Sequence, residues 1–546
     1  MKTHIWDRNA ILAMAVYFVQ GAVAVSGLAE FLLTRNAFHF TWIEISLLAA
    51  LSVLTWSIKP IYGFLTDLLP LFGSRRKNYL IIASLLPVLG YGYLTLFGTS
   101  FLPIAVALIV ANIGLGFADV IVDGLIVERS TPKTVGWYQA ICWRSKGVGI
   151  FFAALFSGIL LERTVFSSLL QNTALPDFLM SHFPLAFPEG LVVAGLNMLD
   201  IRAIFFITAL LPLGTFIFSL FLDEDRAPSA LVEKGRREIP KTYLISALLA
   251  FIMTATVLIG LYSLKTPLLS FIANDALSSL SIVLIWILWI AFYAMHLVRE
   301  KMASMTLLYS ALFLFLWQFT PSFGAPWSNY YLNTLKLSQE KLGLLSSLQP
   351  LAWVIGSFIY VRFLDRLPMK KVLLGTVLIA SFLSLSQLAV ATPEIGNQIG
   401  AVSLIKYLAS AVLFPSYFLV YGLGAFHEVM NQSAILNLDA VLTFFLHIMY
   451  IVSFLPLLKL AALVTPKGVE ATNFAVLMSV MNLGTAFGAV SGGIIYASIE
   501  GSYSWIGISF NSLHVTVVIG ALSSLVCLLV LPQLKLKEEL MLTTNI

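Results

Sequence analysis

Residues 114–146 read GLGFADVIVDGLIVERSTPKTVGWYQAICWRSK. The stretch begins inside an apolar run that carries Asp119 and Asp123. It leaves through Glu128, Arg129, Thr131, Pro132 and Lys133, then re-enters an apolar run that carries Arg144 and Lys146. An ionised side chain at the centre of a lipid-embedded helix costs roughly 2.5–3.5 kcal/mol on insertion scales. Leu and Val return only about 0.5 kcal/mol each at the same depth. Such residues therefore face a protein interior or a watered cavity and find partners there. The stretch reads as two membrane helices joined by a short charged loop, with ionisable groups aimed inward.

The rest of the chain agrees. Of 546 residues, 59% are hydrophobic and 11% charged, against about 25% charged in a soluble domain; the mean hydropathy is +0.93. Apolar runs near 20 residues specify helices rather than a barrel. The net charge of +5 is a matter of membrane orientation and not of nucleic-acid binding. Cys142 and Cys527 both lie in apolar runs and indicate neither a disulfide framework nor a metal site. No cleavable signal is evident before the first apolar run.

Spans are expected at about 10–33, 42–65, 78–98, 102–127, 136–161 and 203–222, and again at about 303–332, 342–362, 370–391, 436–463, 470–497 and 511–532. Two more, about 242–263 and 279–298, sit between the groups, which makes about 14 transmembrane helices. With the N-terminus inside, roughly 21 Lys and Arg fall on the inner side against 6 outside, so both termini are expected in the cytoplasm.

The two groups repeat each other. Tyr62…Asp67 recurs as Tyr360…Asp365, about 298 positions on, and Thr131-Pro132-Lys133 recurs as Thr465-Pro466-Lys467, about 334 on. Two related six-span halves describe an all-α polytopic protein of the major facilitator fold. The expected division is 1–222 for the first half, 223–302 for an inner loop and extra helix pair, and 303–546 for the second half. The offsets differ by about 36 residues, which locates an insertion near 392–435. A full extra crossing there would put Thr465 on the wrong side, so an interfacial or re-entrant element on the outer face is expected.

Several motifs are similar to those of the folate–biopterin transporter family: Lys59-Pro60-x-Tyr62-Gly63-Phe64-Leu65-x-Asp67, Ala118-Asp119-Val120-x-Val122-Asp123, Phe315-Leu316-Trp317-Gln318-x-Thr320-Pro321-Ser322 and Pro466-Lys467-Gly468-x-Glu470. The resemblance covers most of both halves and implies a secondary transporter of folates or pterins, coupled to protons. The chain departs from the pattern where Trp143 is followed by Arg144, Ser145 and Lys146, and at Glu30, where an acidic residue is not typical. Both change charge where a charged ligand would be read. S-adenosylmethionine or a related metabolite is the alternative substrate, and a non-transporting receptor or membrane enzyme the alternative class.

The candidate residues divide by chemistry. Asp119 and Asp123 are i and i+4, on one helix face about 6 Å apart along the axis. Two carboxylates so close in a low dielectric suit a proton carrier, or else pair with Lys59, Arg144 or Lys146 as structural glue. Lys59 meets a substrate carboxylate, holds Asp119, or snorkels to the inner headgroups. Arg144 and Lys146 are i and i+2 and cannot share a face. Arg144, with its planar fork, is favoured for the ligand. Trp317, Gln318 and Thr320 precede Pro321, which bends the span and frees a carbonyl. Trp317 stacks on a flat ring in the functional reading and packs a kink in the structural one. Asp67 with Arg75 and Arg76, and Asp365 with Arg366, are candidate gating clasps at inner helix ends, or charge that only sets topology.

No Gly-x-x-x-x-Gly-Lys-Ser/Thr loop occurs, so ATP drive within the chain has no support. No nucleophile–base set or metal-ligand spacing appears, and no cofactor is called for. The partners expected are the lipid bilayer, protons and a small-molecule substrate. The membrane expected is a bacterial inner membrane, with a eukaryotic membrane as the alternative.

Overall fold

A computed structural model describes residues 8–129, 134–182, 192–193, 195–222, 249–250, 252–254, 275–299, 305–321, 324–464, 470–499, 503–505 and 508–534. The first span is α1 (Arg8–Ala22) and α2 (Ser26–Phe31), joined by a 3-10 turn and closed by a π-helical turn at Leu32–Ala37. The second is α3 (Trp42–Ser57) and α4 (Lys59–Leu68). Pro60 lies in the first turn of α4, where its missing N–H costs nothing. The break between α3 and α4 places Lys59 at a helix start deep in the bundle. Next come α5 (Lys77–Phe97), α6 (Phe101–Arg129), α7 (Val135–Glu162), α8 (Met198–Leu210) and α9 (Pro212–Leu220).

After α10 (Asp275–Arg299), the seventh span of the major facilitator pattern is broken. It runs as α11 (Met305–Gln318), an irregular stretch holding Pro321, and α12 (Gly324–Asn329) with a π-helical turn at Tyr330–Thr334. The eighth is α13 (Gln339–Ser346) and α14 (Leu348–Ile359). Then follow α15 (Met369–Ser386), α16 (Ser403–Tyr421), α17 (Ala425–Met430), α18 (Ala434–Val464), α19 (Glu470–Ser498) and α20 (Ser512–Val526).

The internal repeat recurs in three dimensions. The first and seventh spans both end in π-helical turns. Each is followed by a non-glycine residue at positive φ, His39 at 55° and Lys336 at 54°. A hydroxyl then caps the next helix: Thr41 accepts from the Glu44 N–H at 3.2 Å, and Ser338 from the Lys341 N–H at 3.2 Å. These corners sit 297 positions apart (39 and 336), close to the offset seen in the sequence.

Twelve stretches among the described residues are long and apolar enough to cross a membrane. The sequence predicts about fourteen, and the difference has three sources. The 242–263 stretch falls mostly outside the described residues. The 279–298 and 303–332 stretches supply only shorter apolar helices, Ser279–Phe292 and Leu308–Gln318, the latter because Pro321 interrupts its helix. Ser403–Met430 joins the twelve.

Ser403–Met430 is not straight. Gly422, at φ +56° and ψ −128°, takes a backbone conformation that a Cβ disfavours. The chain reverses there, so Met430 Sδ accepts from Ser410 Oγ at 3.4 Å. The two flanks meet where Asn397 Oδ1 accepts from the Ile435 N–H at 3.2 Å.

The halves touch through two helix sets. The α3–α4 span packs on α19, and α7 packs on α13 and α14. Gly158 of α7 and Gly343 of α13 face each other so closely that a Cβ on either would meet the other's Cα at 3.1 Å. Only glycine allows that approach.

Candidate functional site

The break at Pro60, the inward face of α6 and the start of α7 converge on one cavity of about 70 Å³. The first half contributes Tyr17, Trp56, Lys59, Asp119, Asp123, Gln139, Trp143 and Lys146; the second contributes Leu458, Phe474, Met478, Met481 and Asn482. Lys59 forms an ion pair with Asp119, and each residue is 4% exposed. Asp123, one turn further along α6, accepts from Tyr17 Oη of α1 at 2.6 Å. The Lys59 ammonium also lies 4.9 Å from the centre of the Trp56 ring. Lys146 sits between two indoles, 5.3 Å from Trp56 and 5.0 Å from Trp143. Trp56 is held in turn by Asn112 Oδ1, 2.9 Å from its Nε1, and by Asn482 Nδ2, which donates to its carbonyl at 3.2 Å.

Gln139 is 1% exposed and lines the cavity. Neither its amide oxygen nor its amide nitrogen has a hydrogen-bond partner among the described residues. Leaving a buried amide unpaired costs about 1–3 kcal/mol per group, so its place at the cavity wall is consistent with a ligand or water supplying the missing bonds.

The other expected residues divide sharply. Arg144 does not line the cavity. Its Nε donates to Ser357 Oγ at 2.8 Å, Nη2 donates to the Ser357 carbonyl at 3.3 Å, and its guanidinium covers the Phe358 ring at 3.7 Å. It ties α7 to α14, and the cavity takes Lys146 instead. The two-residue spacing requires that split and leaves its direction open.

Trp317 stacks on Tyr450 at 4.9 Å, and Gln318 Nε2 donates to Tyr450 Oη at 3.0 Å. Thr320 Oγ1 is 3.5 Å from the Trp317 carbonyl. None of the three reaches the cavity. They connect to it through Phe454, which stacks on Trp317 at 5.9 Å and meets Trp143 edge-on at 4.5 Å.

Of the gating candidates, Asp67 lies on α4. Arg75 is half-buried and Arg76 fully buried, with Nη1 3.4 Å from the Ile121 carbonyl. Asp365 accepts from Tyr360 Oη at 2.9 Å and pairs with Lys459 at 2.7 Å. Arg366, the partner expected for that clasp, is exposed. Sequence reasoning misses Tyr17, Gln139 and Lys459. A Lys inside the apolar run SFLPLLKLAALV is the same kind of signal as Lys59 and points to Lys459.

The halves also touch at both ends of α7. On the side of Glu162, Arg163 makes a two-pronged pair with Glu340, both bonds 2.9 Å. Beside it, Glu162 Oε2 accepts from the Gln339 N–H at 2.9 Å. On the side of Asp365, Arg144 bonds Ser357, and Gly136 of α7 packs against the Asp365 carboxylate.

Helices of this number, broken at these points and enclosing charge between two repeated halves, define a multi-pass membrane transporter of the major facilitator fold. Solved transporters share the fold at low identity. A POT family transporter in complex with a thioalcohol-conjugated peptide aligns over 97% of both chains (TM-score 0.58, 14% identity). The xylose transporter of E. coli, in a partially occluded inward-open conformation, aligns over 98% of this chain and 100% of its own (TM-score 0.52, 12% identity).

The chain belongs to the BT1 family, whose sequence profile matches residues 22–400 and 439–541. The unmatched interval contains the Gly422 hairpin. Among curated relatives, the folate-biopterin transporter of Synechocystis sp. is 26% identical over 98% of this chain and 84% of its own. The probable folate-biopterin transporter 4 of Arabidopsis thaliana is 23% identical over 92% and 89%. Folate transporter 1 of Plasmodium falciparum is 22% identical over 97% and 81%.

Proposed function

We propose that the protein carries a folate or pterin across the membrane by alternating access, driven by protons. The observation that carries this reading is the charged cavity itself. Two Lys and two Asp surround it at the seam between the halves, and they occupy hydrocarbon depth that only function or mutual pairing justifies. The substrate class rests on the names of the relatives.

The residues present fit a flat heterocycle bearing carboxylates. Lys146 and Lys59 supply positive charge for the carboxylates, Trp143 supplies a face for the ring, and Gln139 supplies one donor and one acceptor for a ring edge. Asp119 and Asp123 take the coupling proton. Lys59 leaves Asp119 for the substrate, and Asp119 is then free to accept a proton, which links the two loads through one ion pair. Trp317, Gln318 and Thr320 support the aromatic wall from behind.

A cavity of about 70 Å³ is far below the ~300 Å³ or more of ordinary ligand pockets, so loading requires the halves to separate. The Arg163–Glu340 pair is the clasp on one face; on the other, Arg144 and Gly136 of α7 meet Ser357 and Asp365, with Asp365 held within its own half by Lys459 and Asp67, Arg75 and Arg76 as the first-half counterpart of that cluster. In this reading the membrane is a bacterial inner membrane with both termini in the cytoplasm.

The test is uptake into proteoliposomes under an imposed proton gradient, with labelled folate, pterin and adenosyl compounds. Gradient-driven accumulation of folate or pterin is expected, and it is expected to be lost in Asp119→Asn and Asp123→Asn while both variants remain in the membrane. Normal uptake in both variants removes the coupling role, and accumulation of the adenosyl compound alone replaces the substrate class.

A further inference from the structure

A second cavity, of about 240 Å³, shares no lining residue with the first. It lies between α2, α3, α5, α6 and α8 of the first half and is bordered by Gly324 and Ser328 of α12, from the second. Its walls are mostly aliphatic, with Phe31 and Phe205 as the aromatic members. The polar side chains lining it are Glu30, Thr34, Ser52 and Ser328.

The hydrogen-bond direction of these four groups decides what fits. Thr34 Oγ1 donates to the Glu30 carbonyl at 2.7 Å, Ser52 Oγ to the Leu48 carbonyl at 3.0 Å, and Ser328 Oγ to the Gly324 carbonyl at 3.1 Å. Each hydroxyl has thus spent its proton on its own span and turns lone pairs to the cavity. Glu30 accepts from Ser26 through Oε1. No cationic side chain lies within ion-pair distance of Glu30 among the described residues. The nearest basic residue on its span, Arg35, donates to the Phe40 carbonyl at 2.7 Å and covers Trp42.

The lining side chains therefore offer acceptors and one carboxylate, and no donor. A folate carboxylate or any other anion would meet acceptor oxygens there and, among the described residues, no cationic side chain. A bare metal ion would leave most of the volume empty and most of the wall, which is apolar, unused.

The geometry points to a site for a small organic ammonium: the –NH₃⁺ group on Glu30 and the hydroxyl lone pairs, the alkyl body against the apolar wall. This site is independent of the central cavity and of the substrate proposed there. Because α12 borders it, an occupant touches both halves and favours whichever state holds them together.

The experiment is ligand-induced thermal stabilisation of the purified full chain by primary alkylammonium chlorides from methyl to pentyl, matched against sodium and potassium chloride. Expected is a stabilisation that grows with alkyl length and falls at least tenfold in apparent affinity in Glu30→Gln. A Cβ at Gly27, which lines the cavity, would meet nothing within 4 Å, so Gly27→Leu fills the space without touching the charge and is expected to remove the longer amines first. Asp119→Asn is expected to keep the full response. Equal shifts in wild type and Glu30→Gln, absence of any shift, or a Glu30-dependent shift with sodium alone each overturn the proposal. Should Glu30→Gln fail to fold, the alkyl-length profile of Gly27→Leu decides it.

Discussion

Lys59 and Asp119 neutralise each other across two helices, α4 and α6, with 4% of each residue exposed. Their pairing converts two costly buried charges into one dipole. A proton on Asp119 would remove the charge that holds Lys59, and the pair would weaken.

Removing one partner should therefore do more harm than removing both. Lys59→Ala and Asp119→Ala are each expected to destabilise the protein by about 3–5 kcal/mol, the usual cost of an orphaned buried charge. The double variant should regain most of that stability while remaining inactive in uptake. Thermal denaturation in detergent, run as a double-mutant cycle, measures the coupling. Additive losses would show that the pair is not formed.

Gln139 should separate binding from stability. Its amide has no partner to lose among the described residues, so Gln139→Leu is expected to leave the melting temperature unchanged or raise it. The KM for substrate should rise about tenfold or more, the equivalent of about 1.4 kcal/mol. A stability loss with unchanged KM would make the residue structural.

The Arg163–Glu340 pair is half-exposed on the Arg side, at 49%. Such a pair contributes at most about 1 kcal/mol, weak enough to break in the alternating access proposed above. Cross-linking cysteines placed at these two positions with a cleavable bifunctional thiol reagent is expected to stop uptake, and cleavage of the linker to restore it. Full uptake in the cross-linked protein would show that this face need not open.

The Asp365–Lys459 contact should behave as a charge pair and not as an incidental neighbour. Asp365→Lys and Lys459→Asp are each expected to lower uptake ~10-fold, the effect of about 1.4 kcal/mol. The double exchange should recover much of it. Failure of the exchange to rescue would assign the function of Asp365 to its Tyr360 bond instead.

Much of the site is legible in the amino-acid sequence. Asp119 and Asp123 stand out because charge in an apolar run is expensive wherever it occurs, and their four-residue spacing places them on one face by helix geometry alone. Lys59 follows from the same reasoning, but the helix break at Pro60 that positions it is seen only in the structure. Tyr17 and Gln139 are not legible there. A Tyr or a Gln in a long helix carries little transfer penalty, so nothing in composition distinguishes one that faces a cavity from one that packs.

The chain by itself determined that this is a helical membrane protein built of two repeated halves, that the span holding Pro321 bends, and which charges need an inward address. Those properties are local: they depend on the hydropathy of a run, the period of a helix and the missing N–H of a proline. Tertiary structure alone decided that Lys146 and not Arg144 enters the cavity, that Asp365 meets Lys459, that Trp317 packs behind the wall, and that the chain folds back at Gly422. Most of these depend on the rotation of one helix against another far away in sequence. That rotation is set by close packing of small residues such as Gly158 and Gly343, which no single stretch encodes.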